Sequence, residues 1–421
     1  MKKKILSIVL AGAMSIGLLA GCGESTKEAD HGTKKKDQEE ITVMVPDWAV
    51  PKDAELKAFT KDTGIKVVVN EVGWDDIRSK MVTAAAGKKA VADVVEVDWS
   101  WVGEFDAADW LEPLEVTEED KKDMPTLSTF EKGGKILAMP YANDYRLSFI
   151  NKAQYEKAGI KAPETWDDVA KNMKALKDRD ICTYPFAFPL NAEEKTSTSL
   201  MWLAFANDGK VFNDDGTLCK ETVLPALKYI DQMVKDEMVA PEDITSSGMD
   251  CYRRILSGDA SFLTGPTSFV SKATNADECS VVGDIEPILL PGKDGPAKQT
   301  MPLPEALGVT KFSEHKDAAK KFVMWYTSAD MQRTLNATIS SIPTRNSVLE
   351  ELIDEGKIKN AGAMLEEAKR IKSPFPGGVP SYYAEMSNAM YNAMNKMALG
   401  DLSAEEAYKD MAEKTKELVN E

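Results

Sequence analysis

Histidine is nearly missing from these 421 residues: only His31 and His315 occur. That scarcity excludes zinc sites built on several histidines and triads that use histidine as the base. Positive charge is in deficit too, with 52 lysines and arginines against 69 acids and a formal net charge of −17. Phosphate binding needs a concentrated basic surface, so nucleic acid is not an expected partner. The five cysteines contain no C-x-x-C spacing, which removes zinc knuckles and thioredoxin chemistry. G-x-S-x-G, Walker, H-E-x-x-H, EF-hand and G-x-G-x-x-G motifs are all absent. Ser313 and Lys316 do match S-x-x-K, but without S-D-N or K-T-G, and Ser313 stands where the N-cap of a following helix is expected. No metal and no cofactor is expected. What remains is the chemistry of carboxylates, amides and aromatic rings.

The N-terminus reads as a processing signal. Lys2, Lys3 and Lys4 precede a mostly apolar stretch, Ile5 to Ala20, that is short for a membrane span. It ends in Leu19-Ala20-Gly21-Cys22, which looks like a bacterial lipoprotein box. In such signals the cysteine is lipidated and becomes the first mature residue. Residues 1–21 are therefore read as signal peptide, and 22–40 as lipidated Cys22 with a disordered tether. Residues 23–40 hold no large apolar side chain and cannot build a core; their root-mean-square reach is about 25 Å.

From residue 41 strand and helix patterns alternate. "ITVMVP" (41–46) and "IKVVVNEV" (65–72) are strands around a helix that carries Leu56 and Phe59 on one face and ends at Gly64. Trp74, Ile77, Met81 and Ala84 mark the next helix, and strands follow at 93–97 and 136–139. This rhythm predicts a largely parallel sheet with helices on its faces. Beyond residue 150 helices dominate, one of them capped by Thr165 with Asp168 three residues on. Short strands are expected at 184–188, 260–264 and 285–289. Two α/β lobes fit this better than one. The stripe Met386, Met390, Met394 and Met397 reads as core, as do Trp101 and Phe105, and "NDDG" (213–216) reads as a hairpin turn. For Cys182, Cys219, Cys251 and Cys279, disulfides and free thiols both stay open.

Ligands of open α/β sheets sit beyond the carboxyl ends of strands. Three such ends carry acids or amides beside aromatic rings: Asp47 and Trp48, Asp98 and Trp99, and the run Tyr141, Asn143, Asp144 and Tyr145. Ring faces pack on the apolar face of a sugar while carboxylates and amides take its hydroxyls. The alternative is that the acids cap helices and the indoles anchor loops.

Four segments, "DVVEVDWSWVGEFDAADWLEPL", "GKILAMPYANDYRLSFINKAQYEKAGIKAPETWDDV", "SGDASFLTGP" and "GVTKFSEHKDAAKKFVMWYTSADMQ", with "SSIPTR" after the last, occur in this order behind the lipoprotein box. The chain from 41 to 421 thereby resembles the extracellular solute-binding proteins of ABC importers in the maltose-binding-like carbohydrate group. The resemblance implies a two-lobed periplasmic-binding-protein-like α/β fold, each lobe a mostly parallel sheet flanked by helices, joined by a hinge. One lobe would comprise 41–143 plus 285–335, the other 146–284 plus 336–421. Asp144 would sit at the first hinge crossing and bond the sugar. From the second lobe the resemblance adds Trp202, Thr267, Phe269, Tyr382 and Tyr383. Two positions depart from the group's usual pattern: Thr267 follows "TGP" where Trp is common, and Pro304-Glu305 stands where Gly-Trp is common. Two aromatic platforms are lost, and Glu305 favours a ligand bearing a cation or many hydroxyls.

The function so implied is a non-catalytic, membrane-anchored, extracytoplasmic receptor. Its partners would be a small carbohydrate and the permease subunits of an importer, and the chain itself is expected to be a monomer. The alternatives are a peptide, polyol or polyamine receptor, or a secreted glycoside hydrolase, which would need two carboxylates at a defined separation. The anchor is tested by Cys22→Ser, which should release the protein into the medium or leave an uncleaved precursor. Lipid-labelled Cys22→Ser protein still in the membrane would refute the box.

Overall fold

The computed structural model describes residues 38–421, so the signal peptide, Cys22 and most of the tether lie outside the described residues. Strands β1 (Glu40–Val45), β2 (Lys66–Glu71) and β3 (Val94–Asp98) are linked by the helices Asp53–Thr63 and Trp74–Ala86. They pair in parallel with β1 between the other two. β3 is buried along its whole length, as a strand covered on both faces must be. The edge strand β4 (Leu111–Glu112) and the hairpin β5 (Glu131–Lys132) with β6 (Lys135–Ile136) precede β7 (Met139–Ala142). The chain then enters a second sheet with β8 (Arg146–Asn151), followed by β9 (Phe186–Ala187), β10 (Phe262–Pro266) and β11 (Ile285–Ile288), in the order β11-β8-β10-β9. β12 (Glu305–Thr310) returns to the first sheet and pairs with β3, β4 and β7.

The two-lobed α/β architecture is as expected, but the sheets are mixed rather than mostly parallel. Parallel pairs need a crossover helix, and only the β1–β3 stretch and the β9–β10 pair have that connection. β12 comes back from the other lobe and runs antiparallel to all its partners. It was not anticipated, because "EALGVT" has little strand character of its own; its identity comes from neighbours on both sides. β11 pairs with β8, so the chain is still in the second sheet at 285–288, not yet back in the first lobe as expected. The apolar run at 136–139 is split between a hairpin strand and β7.

Three chain passes between the sheets lie side by side. The Leu303 N–H donates to the Asp144 carbonyl at 2.8 Å, and the Asn143 N–H to the Ile342 carbonyl at 2.9 Å. Tyr145 and Pro302 form an antiparallel bridge. Thr344 Oγ1 donates to the Pro140 carbonyl at 2.8 Å, which ties the third pass to the first.

Local readings hold in most places. Gly64 ends its helix at φ 76°, where a side chain would be strained. Thr165 and Asp168 form a reciprocal capping box. The four methionines of helix Tyr383–Ala398 are buried against helices Glu194–Asp208 and Ala404–Asn420, and Trp101 packs on Phe105. All four cysteines are buried free thiols. Ser313 is not an N-cap: it accepts from the His315 N–H and donates to Asp93, and His315 holds the N-cap position without a side-chain capping bond.

The 372–382 loop of the C-terminal part leans against the first lobe. Gly103 sits beneath it, in the short helix Val102–Ala107, and a Cβ there would lie 2.4 Å from the Val379 carbonyl oxygen. Both obstacles are backbone, Val379 and Pro380, so little can yield. Gly103→Ala should therefore cost about 1–3 kcal/mol of stability, read as a lower urea midpoint. An unchanged midpoint would mean that the loop does not press on this helix in solution.

Candidate functional site

A cleft of about 720 Å³ receives the ends of strands from both sheets. Asp47 and Trp48 reach it from the turn after β1, Asp98 and Trp99 from the end of β3, and Tyr141, Asn143 and Asp144 from β7 and the first crossing. Glu305 enters at the start of β12, and Thr267 and Phe269 follow β10. Three expected residues are not in the lining. Trp202 is a core residue packed between the tilted rings of Trp166 and Phe188, with centroids 5.3 and 5.9 Å away. Tyr383 is buried, its hydroxyl bonded to Glu194 and its ring against Trp99. Tyr382 packs on the helical core near Gly216, away from the cleft. These three came from the family resemblance, which points to a stretch of the second lobe without separating its core face from its cleft face.

The two indoles have different roles. Trp48 is half-buried and donates from Nε1 to Glu305 Oε2 at 3.0 Å. Trp99 is only 4% exposed, with Tyr383 5.0 Å and Phe375 6.1 Å from its ring. It is mainly a wall between the lobes, with one edge on the cleft.

Beside the indoles lie three carboxyls, Glu96 and Asp98 buried and Glu305 half-buried. Glu305 stands directly opposite Asp98 in the β12–β3 ladder, and Glu96 lies two residues earlier on β3. The Tyr141 hydroxyl is 3.0 Å from Glu96 Oε2 and 3.1 Å from Glu305 Oε2. A phenol has one proton to give. It donates to one carboxylate and must accept from the other, so at least one of the two glutamates is protonated. Glu96 is fully buried and its Oε1 has no partner, which makes it the proton carrier. Burial, then Glu305 and Asp98, hold the Glu96 carboxyl well above the usual range. Burial, then the charges of Asp98 and Asp144, push Glu305 up to about 8 despite the bonds from Trp48 and Tyr141. Burial also raises Asp98 to about 7, although the Ser100 hydroxyl and N–H both donate to it.

Asp144 is engaged on both oxygens. Oδ2 pairs with Arg146 Nη1 at 2.7 Å, and Oδ1 accepts from the Thr267 N–H at 3.1 Å. Thr267 in turn donates its hydroxyl to the Asn143 carbonyl, so the crossing is tied to the end of β10. Sequence reasoning missed Arg146, Glu96, Trp74, Lys195 and Tyr252, of which all but Glu96 line the cleft. Glu96 was visible as the lone charge inside an apolar strand, and Arg146 as the base after "YANDY". Trp74, Lys195 and Tyr252 come from distant helices and left no local signal.

Residues 46–333 match the family model described as bacterial extracellular solute-binding protein. The chain belongs to this family. A maltotriose-binding protein of Pyrococcus abyssi is 24% identical over 269 residues, covering 62% of this chain and 55% of that one. Maltose-bound MalE3 of T. maritima superposes with a TM-score of 0.77 at 23% identity, covering 90% of this chain and 99% of that one. An ABC transporter solute-binding protein of Agrobacterium radiobacter, solved with ribitol, reaches 0.83 at 18% identity, with 91% and 99% covered. Among the described residues of this solute-binding protein no helix is long and apolar enough to cross a membrane, and no group of His, Cys, Asp and Glu is arranged to hold a metal ion.

The raised acids fix the sign of its pH dependence. An unfolded carboxyl loses its proton near pH 4, roughly, while Asp98 and Glu305 keep theirs in the fold up to about 7 and about 8. Between those limits the native state binds more protons than the unfolded state, so stability falls as pH rises. The ligand-free solute-binding protein should lose several kcal/mol between about pH 5 and about pH 8.5, and Glu305→Gln should flatten the decline. Urea midpoints across this range decide it; a flat or rising wild-type profile would contradict the buried cluster.

Proposed function

We propose that this protein is the membrane-tethered, non-catalytic receptor of an ABC importer for a small carbohydrate or polyol. The observation that carries the reading is the meeting of acid, amide and indole side chains from the strand ends of two sheets in one cleft beside a triple chain crossing. Such a cleft offers hydrogen bonds to hydroxyls and, at Trp48, a ring face to the apolar side of a sugar. Family membership supports binding rather than turnover. The similar proteins named for maltotriose, or solved with maltose or ribitol, support polyhydroxylated ligands.

In this reading the first lobe extends from residue 41 to Asn143 and resumes with β12, and the C-terminal part belongs to the second lobe. Lobe closure follows from contacts that a ligand makes only when both walls reach it, since only differential binding shifts the equilibrium. The ligand residues are Asp47, Trp48, Asp98, Tyr141, Asn143, Asp144, Thr267, Phe269 and Glu305, with the edge of Trp99. Lipidated Cys22 holds the body at the outer membrane face, where the closed form meets the permease, and the receptor works as a monomer.

A thermal-shift panel of monosaccharides, disaccharides and polyols tests the reading, because a ligand at 100 times its dissociation constant stabilises by about 2.7 kcal/mol. Trp48→Ala should weaken the best ligand ten-fold or more, about 1.4 kcal/mol per decade. Trp99→Ala should mainly lower the melting temperature, by about 3–5 kcal/mol of core packing. A panel without any stabiliser would refute the carbohydrate reading.

A further inference from the structure

We propose that Glu305 is the docking point for a cationic amino group, so that the ligand is an amino sugar or amino polyol rather than a neutral one. This rests on the carbohydrate reading above and narrows it.

The donors that reach Glu305, Asp98 and Asp144 are protein groups already engaged with them. Trp48 Nε1 and the Tyr141 hydroxyl both donate to Glu305 Oε2. The Ser100 hydroxyl and N–H donate to Asp98 Oδ1, and Arg146 Nη1 to Asp144. What Glu305 and Asp98 still offer a ligand is acceptor capacity, on Glu305 Oε1 and Asp98 Oδ2, which no donor among the described residues reaches. Asn143, 8% exposed and in the same lining, has a buried side-chain oxygen with no partner. A group made only of donors matches these acceptors. An ammonium has three donors and no acceptor, so it matches acceptors more fully than a hydroxyl, which has one donor.

Charge points the same way. The neighbours acting most strongly on Glu305 are the acids Asp98 and Asp144 and the donors Trp48 and Tyr141; none is a base. Glu96 lies behind Tyr141, and Tyr326 faces the pair from helix Lys316–Tyr326. Arg146 is bound to Asp144. Lys195, beside Glu194 at the start of its helix, acts on Asp98 and has its ammonium 5.8 Å from the Trp74 ring centre. Glu305, whose strongest neighbours include no base, holds its proton in the empty site. A ligand cation beside Glu305 replaces a proton there, and the hydrogen bond it accepts becomes charge-assisted.

The test compares matched ligands by titration calorimetry on the full mature chain: glucosamine against glucose and N-acetylglucosamine, and glucamine against sorbitol. In at least one set the amine should bind ten-fold or more tighter than its neutral counterparts. Repeating the titration at neutral pH in phosphate and in HEPES, which differ in ionisation heat, should reveal net proton release on amine binding. In Glu305→Gln the ratio of amine to neutral affinity should fall to within about two-fold. Neutral members that bind as tightly as the amines, or amine binding without proton release, overturn the inference and leave the carbohydrate reading standing. A panel in which nothing binds overturns both.

Discussion

The return of β12 into the first sheet is the constraint on which the site depends. This strand arrives from the second lobe and inserts between β3 on one side and β4 and β7 on the other. Antiparallel register then puts Glu305 opposite Asp98 and, through the irregular pairing with β7, within reach of the Tyr141 hydroxyl. The same return lays residues 302–304 along the first crossing, where the Leu303 N–H donates to the Asp144 carbonyl and Pro302 bridges to Tyr145. Site and crossing are thus two consequences of one strand placement.

Close packing around that strand leaves little tolerance. A Cβ on Gly308, in the middle of β12, would lie 2.8 Å from a methyl group of Val97. The strand cannot shift without moving β3, and moving β3 moves Asp98 and Trp99. Rigidity at the floor contrasts with the upper walls, where Asp47 is exposed and Trp48 half-buried. A binding protein needs both: a floor that holds its polar groups in place and walls free to meet a ligand.

Electrostatics follows from the same geometry. Buried acids facing one another cannot all ionise, so the empty cleft stores protons. The cluster is costly to the apo fold and useful only when something takes the place of the protons. A local rule broken in the core at a strand end is where function is expected to lie. Asp144 shows the opposite arrangement: its charge is matched by Arg146 and Thr267, so it serves first to join the crossing to the second sheet.

Much of this was legible in the chain itself. The alternation of β1, β2 and β3 with helices, the Gly64 and Thr165 caps, the methionine stripe and the strand-end pairs all arise from neighbours within a few residues, where periodicity and capping chemistry act directly. The acid-bearing ends of β1, β3 and β7 were found because a ligand site in an α/β sheet has a fixed relation to strand direction. Decisions made by partners hundreds of residues away were not legible. β12 is a strand only because β3, β4 and β7 flank it, Trp202 is core only because Trp166 and Phe188 enclose it, and Trp99 is a wall only because Phe375 and Tyr383 fold over it. The sequence by itself determined local elements and the residue types available to a site. The tertiary structure decided which of them share a cleft and which carry protons, because burial and facing charge are properties of the assembled lobes and not of any segment.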